Sequence, residues 1–396
     1  MLTNVESQSG VRSAVVYVNA PAATADKQLN SKQLNNKQLT QEIDNRLQAV
    51  SDALEIIVVT AEGIPVRAKV SGVTRSQLFQ TIEQFRGDIV ASARRGSDYY
   101  LPGAQQLYQW LIAPIEAELG TTAVDTLLFS MDEGLRSLPI AALHDGEQYL
   151  VEKYSLGVVP SVSLIDAQYE SVADAQVLAM GASSFDTLSP LPAVPLELEL
   201  INELWSGSAF LNENFTRQNL VEQRSQIPYR VIHLATHAEF QSGAADNSYI
   251  QLWDEKLKLS ELHQLGWQYP AVDLLVLSAC RTAVGSPEAE MGFAGLAIAS
   301  GVRSAMASLW SVSDVGTLAL MSEFYGQLQL TPTKAKALRS AQLSMLKGEV
   351  RTQGGDLMRS AARGRLPLPS ELGTLGESDF SHPYYWSGFT MIGSPW

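Results

Sequence analysis

From residue 126 to the end of the chain, short apolar runs alternate with segments of helical period, and this alternation restricts the fold more than any other feature. The runs at 126–130, 156–159, 176–181, 230–238, 272–280 and 303–309 have strand length, and segments near 196–205, 292–300, 315–328 and 333–346 have helical period. Strands separated by helices require crossover connections, which build a mostly parallel sheet covered by helices on both faces. The expected class is therefore α/β, a three-layer sandwich.

The first third reads as an extension of that sheet. Residues 11–18 form a strand, and 54–60 with 65–70 form a hairpin around Glu62-Gly63. Helices are expected at about 75–94 and 104–119. Residues 24–42 carry a five-residue repeat of Lys-Gln-Leu, a period that suits neither helix nor strand, so they read as a solvated insertion. We divide the chain into an N-terminal subdomain, 1–120, and a main domain, 121–396. Residues 354–380, rich in Gly, Pro, Arg and Ser, read as a long loop with a short helix, and 389–392 as a last strand packing near the functional edge.

Composition narrows the function. A chain of 396 residues with 45% hydrophobic and 18% charged residues can bury a large core. A net charge of −14 disfavours nucleic acid or an anionic membrane as the main partner, because phosphate binding needs clustered Lys and Arg. The single cysteine allows no internal disulfide, and no run of about 18 apolar residues occurs, so a cytoplasmic, non-membrane protein is expected.

That cysteine, Cys280, ends the run 272–280 where it passes into the polar turn Arg281-Thr282-Ala283-Val284-Gly285. Open α/β sheets place their chemistry at this strand edge. His237 ends the run 230–238 in the same way, 43 residues earlier. Adjacent strands would bring a thiol beside an imidazole able to take its proton, which is what a cysteine nucleophile requires. A lone cysteine is also a common small buried hydrophobe. His233, four residues before His237, reads as a core histidine with a hydrogen-bonded ring. No His-Glu-x-x-His, no Gly-x-Ser-x-Gly elbow and no Gly-rich phosphate loop occurs, so neither a metal nor an organic cofactor is expected.

Six stretches in order resemble one family: His233-Leu234-Ala235-Thr236-His237-Ala238, Leu277-Ser278-Ala279-Cys280-Arg281-Thr282-Ala283, Gly292-Phe293-Ala294-Gly295-Leu296, Ser308-Leu309-Trp310-Ser311-Val312-Ser313-Asp314, Lys334-Ala335-Lys336-Ala337-Leu338-Arg339 and Pro383-Tyr384-Tyr385-Trp386-Ser387-Gly388-Phe389. They are similar to the CHAT domains, caspase and separase relatives often found beside helical repeats in bacteria. Ala279-Cys280-Arg281 also fits the caspase cysteine context, while Ser278 and Thr282 depart from it.

The resemblance implies a caspase-like cysteine endopeptidase over at least residues 125–396, with Cys280 as nucleophile and His237 as base and acid. It also implies an oxyanion hole from the backbone N–H groups of Ala238 and Cys280. Asp314 falls where separases carry an aspartate at the floor of a pocket for a substrate arginine; equally, Ser313 or Asp314 can cap the helix that starts there. With a basic preference, Arg359, Arg363 and Arg365 become self-cleavage candidates. The expected partners are a protein or peptide substrate and a regulatory sensor protein, since the chain shows no 34-residue helical repeat of its own. The competing reading is a non-catalytic scaffold that binds protein partners in a regulatory pathway.

Overall fold

The computed structural model describes residues 1–20, 54–93, 96–132, 134–166, 168–239, 247–278, 292–360, 364–373 and 377–396. The strands in chain order are β1 (Ser13–Asn19), β2 (Leu54–Val59), β3 (Val66–Val70), β4 (Thr126–Met131), β5 (Ser155–Val158) and β6 (Val177–Gly181). They continue as β7 (Gly207–Leu211), β8 (Val231–Ala235), β9 (Ala238–Glu239), β10 (Tyr249–Gln251), β11 (Lys256–Lys258) and β12 (Leu274–Leu277). The last are β13 (Ser304–Ser308), β14 (Arg351–Gln353), β15 (Asp356–Met358), β16 (Arg365–Pro367), β17 (Ser378–Asp379) and β18 (Phe389–Gly393).

Eleven of them form one sheet in the order β3-β2-β1-β4-β5-β18-β13-β12-β8-β6-β7. Strands β13, β12, β8, β6 and β7 run parallel to one another. So do β1, β4, β5 and β18. The two blocks meet where β18 pairs antiparallel with β13. The C-terminal ends of β6, β8, β12 and β13 therefore share one edge, and Phe389 at the start of β18 reaches it opposite Ser308. The N-terminal hairpin joins the same sheet, because β1 pairs with β2 on one side and with β4 on the other.

Alternating side chains explain the layers. In β8, Val231 and Ala235 enter one core cluster while Ile232 and Leu234 enter another. In β12, Leu274 and Val276 divide from Leu275 and Leu277 in the same way. Every residue of both strands is buried, the pattern of parallel strands covered on both faces. The first face packs under helices Arg75–Ser92, Leu101–Leu111, Val194–Leu204, Asp314–Leu328 and Lys334–Leu346. The second carries Leu220 of helix Arg217–Gln226 and Ala297 of helix Gly292–Ala299. The α/β sandwich expected from the alternation is the architecture observed.

Two expectations need correction. Residues 354–380 do not form a loop alone: β14–β17 make a second sheet in the order β16-β15-β14-β17, with a short helix at Ser370–Gly373. These strands have two or three residues each, too short for a period to register. The helix expected over 104–119 is broken: Leu101–Leu111 ends before Ala113-Pro114, because proline lacks the N–H that continues a helix, and a separate helix spans Glu116–Thr121. The Lys-Gln-Leu insertion lies outside the described residues.

Candidate functional site

β8 and β12 are parallel neighbours, and Leu234 pairs with Leu277 at the end of the ladder. His237 stands three residues beyond Leu234, and Cys280 the same distance beyond Leu277. The ladder continues one step past the strand, where Ser278 N–H donates to the Leu234 carbonyl at 3.1 Å. Cys280 itself lies outside the described residues, as do Ala279 and Arg281.

His237 is half-buried and held from two sides. Its Nε2 is 2.7 Å from the Ser189 carbonyl oxygen. A carbonyl only accepts, so Nε2 carries the proton and Nδ1 presents its lone pair. The Phe185 ring lies against the imidazole with centroids 4.8 Å apart. The backbone turns here: Thr236 Oγ1 donates to the Gln251 carbonyl, and Gln251 N–H donates to the His237 carbonyl at 2.8 Å. Ala238 opens β9, pairing Ile250 of β10. With Gln251 N–H on the His237 carbonyl, Ala238–Ile250 is the non-bonded pair of the antiparallel alternation, so Ala238 N–H is not spent on β10.

Asp314 is the first residue of helix Asp314–Leu328, whose N-cap is Ser313: its side chain accepts from Gly316 N–H at 3.0 Å. The capping role therefore belongs to Ser313. Asp314 Oδ2 instead accepts from Ala193 N–H at 2.7 Å, at the start of helix Val194–Leu204. Burial pushes the Asp314 carboxyl up to about 6; the Ala193 hydrogen bond opposes the shift and the nearby Glu197 carboxylate adds to it. The preceding residue, Ser313, lines a cleft of about 830 Å³ between helix Arg75–Ser92 and the segment after β13, together with Arg86, Val90, Trp310 and Tyr385.

His233 is fully buried in β8, with Nδ1 3.1 Å from the Tyr325 hydroxyl and Nε2 3.0 Å from Glu197 Oε1. Both partners come from helices packed on that face, Val194–Leu204 and Asp314–Leu328. Glu197 and Tyr325 were not singled out in the sequence. Their signal is a carboxylate and a phenol on otherwise apolar helix faces, which is weak without the histidine they meet. His233 and His237 hold separate partners and share none. Among the described residues, no group of three or more His, Cys, Asp or Glu side chains is placed to hold a metal. Nor is any helix there long and apolar enough to cross a membrane.

Of the arginines in the late segment, Arg359 follows β15 and Arg365 opens β16, with Arg359 N–H bonded to the Gly364 carbonyl at 3.0 Å. Arg363 lies outside the described residues.

A large, mostly parallel sheet between helices, with a histidine at the strand edge, defines the caspase-like α/β class. The CHAT domain pattern matches residues 101–394, and the chain belongs to that family. Among curated proteins it is similar to human tetratricopeptide repeat protein 28, with 21% identity over 89% of the chain. It spans 15% of that protein's length. Among solved structures it resembles a chain of the Saccharomyces cerevisiae separase–securin complex, with a TM-score of 0.52 and 7% identity over the whole chain and 30% of that one. The Arg-specific cysteine proteinase gingipain R matches at a TM-score of 0.42 and 10% identity, over 79% of this chain and 75% of that one.

Proposed function

We propose that this chain is a cysteine endopeptidase acting through a Cys280–His237 dyad. The observation that carries the reading is the register of β8 and β12: in the sequence His237 and Cys280 each come three residues after the matched pair Leu234–Leu277. In this reading His237 Nδ1 takes the Cys280 thiol proton as the sulfur attacks the scissile carbonyl carbon. The same proton passes to the departing amine, the peptide C–N bond breaks, and a thioester remains. Water deprotonated by His237 then releases the acid and restores the thiol. Ala238 and Cys280 N–H groups stabilise the negative oxygen formed on attack.

Asp314 in this reading selects Arg or Lys before the scissile bond. Its half-buried carboxylate follows Ser313, which lines the cleft, and a substrate cation reaching it would be poorly hydrated and strongly paired. The same proposal treats residues 1–120 as a subdomain that completes the sheet around 121–396. A protein partner carrying helical repeats is the expected regulator, a reading supported by similarity to a protein named for tetratricopeptide repeats.

The test is a proteome-derived peptide library incubated with wild type and with Cys280→Ala. New termini after Arg and Lys, present only with wild type, are the expected result. Cleavage that persists in Cys280→Ala would refute the dyad.

A further inference from the structure

We propose that the loop between β6 and helix Val194–Leu204 couples Asp314 to His237, so that Asp314 is a positioning residue for the base as well as a charge for the substrate. This inference rests on the peptidase reading for its functional meaning, but its physical content does not.

Two hydrogen bonds carry it. The Ser189 carbonyl fixes the His237 tautomer by accepting from Nε2 at 2.7 Å. Four residues later, Ala193 N–H donates to Asp314 Oδ2, also at 2.7 Å. Both ends of the loop are anchored. Ser183 N–H reaches Asn212 Oδ1 at 2.9 Å, and Leu191 N–H reaches the Ser183 carbonyl at 2.9 Å. Phe185, from the same loop, packs on the His237 ring. The imidazole thus has no support from its own strand for its orientation among these contacts; the loop supplies both the acceptor and the apolar wall. Asp314 in turn holds the loop's last turn at the start of helix Val194–Leu204, where a carboxylate is favoured by the unpaired N–H groups and the helix dipole.

Asp314 commits Oδ2 to the loop, and the residue before it, Ser313, lines the cleft. A cation arriving at Asp314 therefore engages the residue that holds the loop bearing the base's partner. The two roles separate chemically. Asp314→Asn keeps an acceptor for Ala193 N–H and loses the charge, whereas Asp314→Ala loses both.

The experiment is ¹⁵N NMR of the full chain labelled at histidine, with His237 assigned by His237→Gln among the five histidines. Wild type and Asp314→Asn are expected to show the Nε2–H tautomer, and Asp314→Ala a mixture with faster exchange of that proton. Should Asp314→Ala fail to fold, Asp314→Val, which also lacks an acceptor but keeps more of the side-chain volume, carries the same expectation. In parallel, labelling of Cys280 by an uncharged peptide acyloxymethyl ketone should fall about tenfold in Asp314→Ala, within the roughly 100-fold that a 1 Å misplacement costs. An unchanged tautomer in both Asp314→Ala and Asp314→Val would overturn the coupling. A shifted tautomer in a chain that labels with no probe would uphold the coupling while removing the peptidase reading.

Discussion

Leu234 in β8 faces Leu277 in β12 across a parallel ladder, and both side chains are fully buried in the same cluster. This is the last residue pair of the β8–β12 ladder, three residues short of His237 and of Cys280 in the sequence. Leu277→Ala should cost about 2–5 kcal/mol of folding stability, the range for a truncated core leucine. Urea denaturation measures it, and a cost under 1 kcal/mol would mean the ladder end is loosely packed.

Gly181 ends β6 beside β8. A Cβ there would stand 2.5 Å from the Ala235 carbonyl oxygen and 2.8 Å from Val194 Cγ1, closer than real contacts allow. Gly181→Ala should lower stability by about 1–3 kcal/mol, as overpacking does, and shift the His237 resonances by displacing the end of β8. Thermal melting and histidine NMR check the two parts separately.

The His233–Glu197 pair is buried beyond solvent on both sides. Glu197→Ala removes the carboxylate that stands 3.0 Å from the buried His233 Nε2 and should cost about 1–3 kcal/mol, the scale for a buried polar group left unsatisfied. Replacing both by leucine should cost less than the sum of the single changes, as a double-mutant cycle in urea would show. Additive costs would mean that the two groups do not interact.

Asp314 predicts a pH dependence with a definite sign. Its carboxyl is raised from 3.8 to about 6, chiefly by burial. Between those values the folded chain keeps a proton that the unfolded chain has released, so this residue makes stability fall as pH rises through the window. Asp314→Asn should flatten that part of the stability profile. Discrimination of Arg over Leu substrates should grow as pH rises through about 6, where the carboxylate forms. A ratio constant from pH 5 to 8 would separate Asp314 from substrate recognition.

Most of the sheet was legible in the sequence because parallel strands buried on both faces appear as unbroken apolar runs. The runs that became β6, β8 and β12 carry that mark most fully, whereas β18 alternates buried and half-buried residues. β7 was not legible: Gly207-Ser208-Ala209-Phe210-Leu211 is a half-exposed edge strand with one weakly apolar face. Helix Arg217–Gln226 escaped for a similar reason, since Leu220 and Arg224 are its only buried residues. In the candidate site, His237 was visible at a strand end. Its partner Ser189 was not, because a backbone carbonyl leaves no trace in residue type. The Ala193–Asp314 bond was hidden likewise, joining residues 121 apart through a backbone N–H.

The dyad is tested most directly by treating wild type, Cys280→Ala and His237→Ala with peptide acyloxymethyl ketones bearing Arg, Lys, Leu or Asp next to the warhead. The account predicts covalent labelling of wild type with preference for Arg or Lys, none in Cys280→Ala, and labelling reduced about 100-fold or more in His237→Ala, the scale of a lost general base. Labelling that survives Cys280→Ala, or wild type that none of the four probes labels, would contradict it.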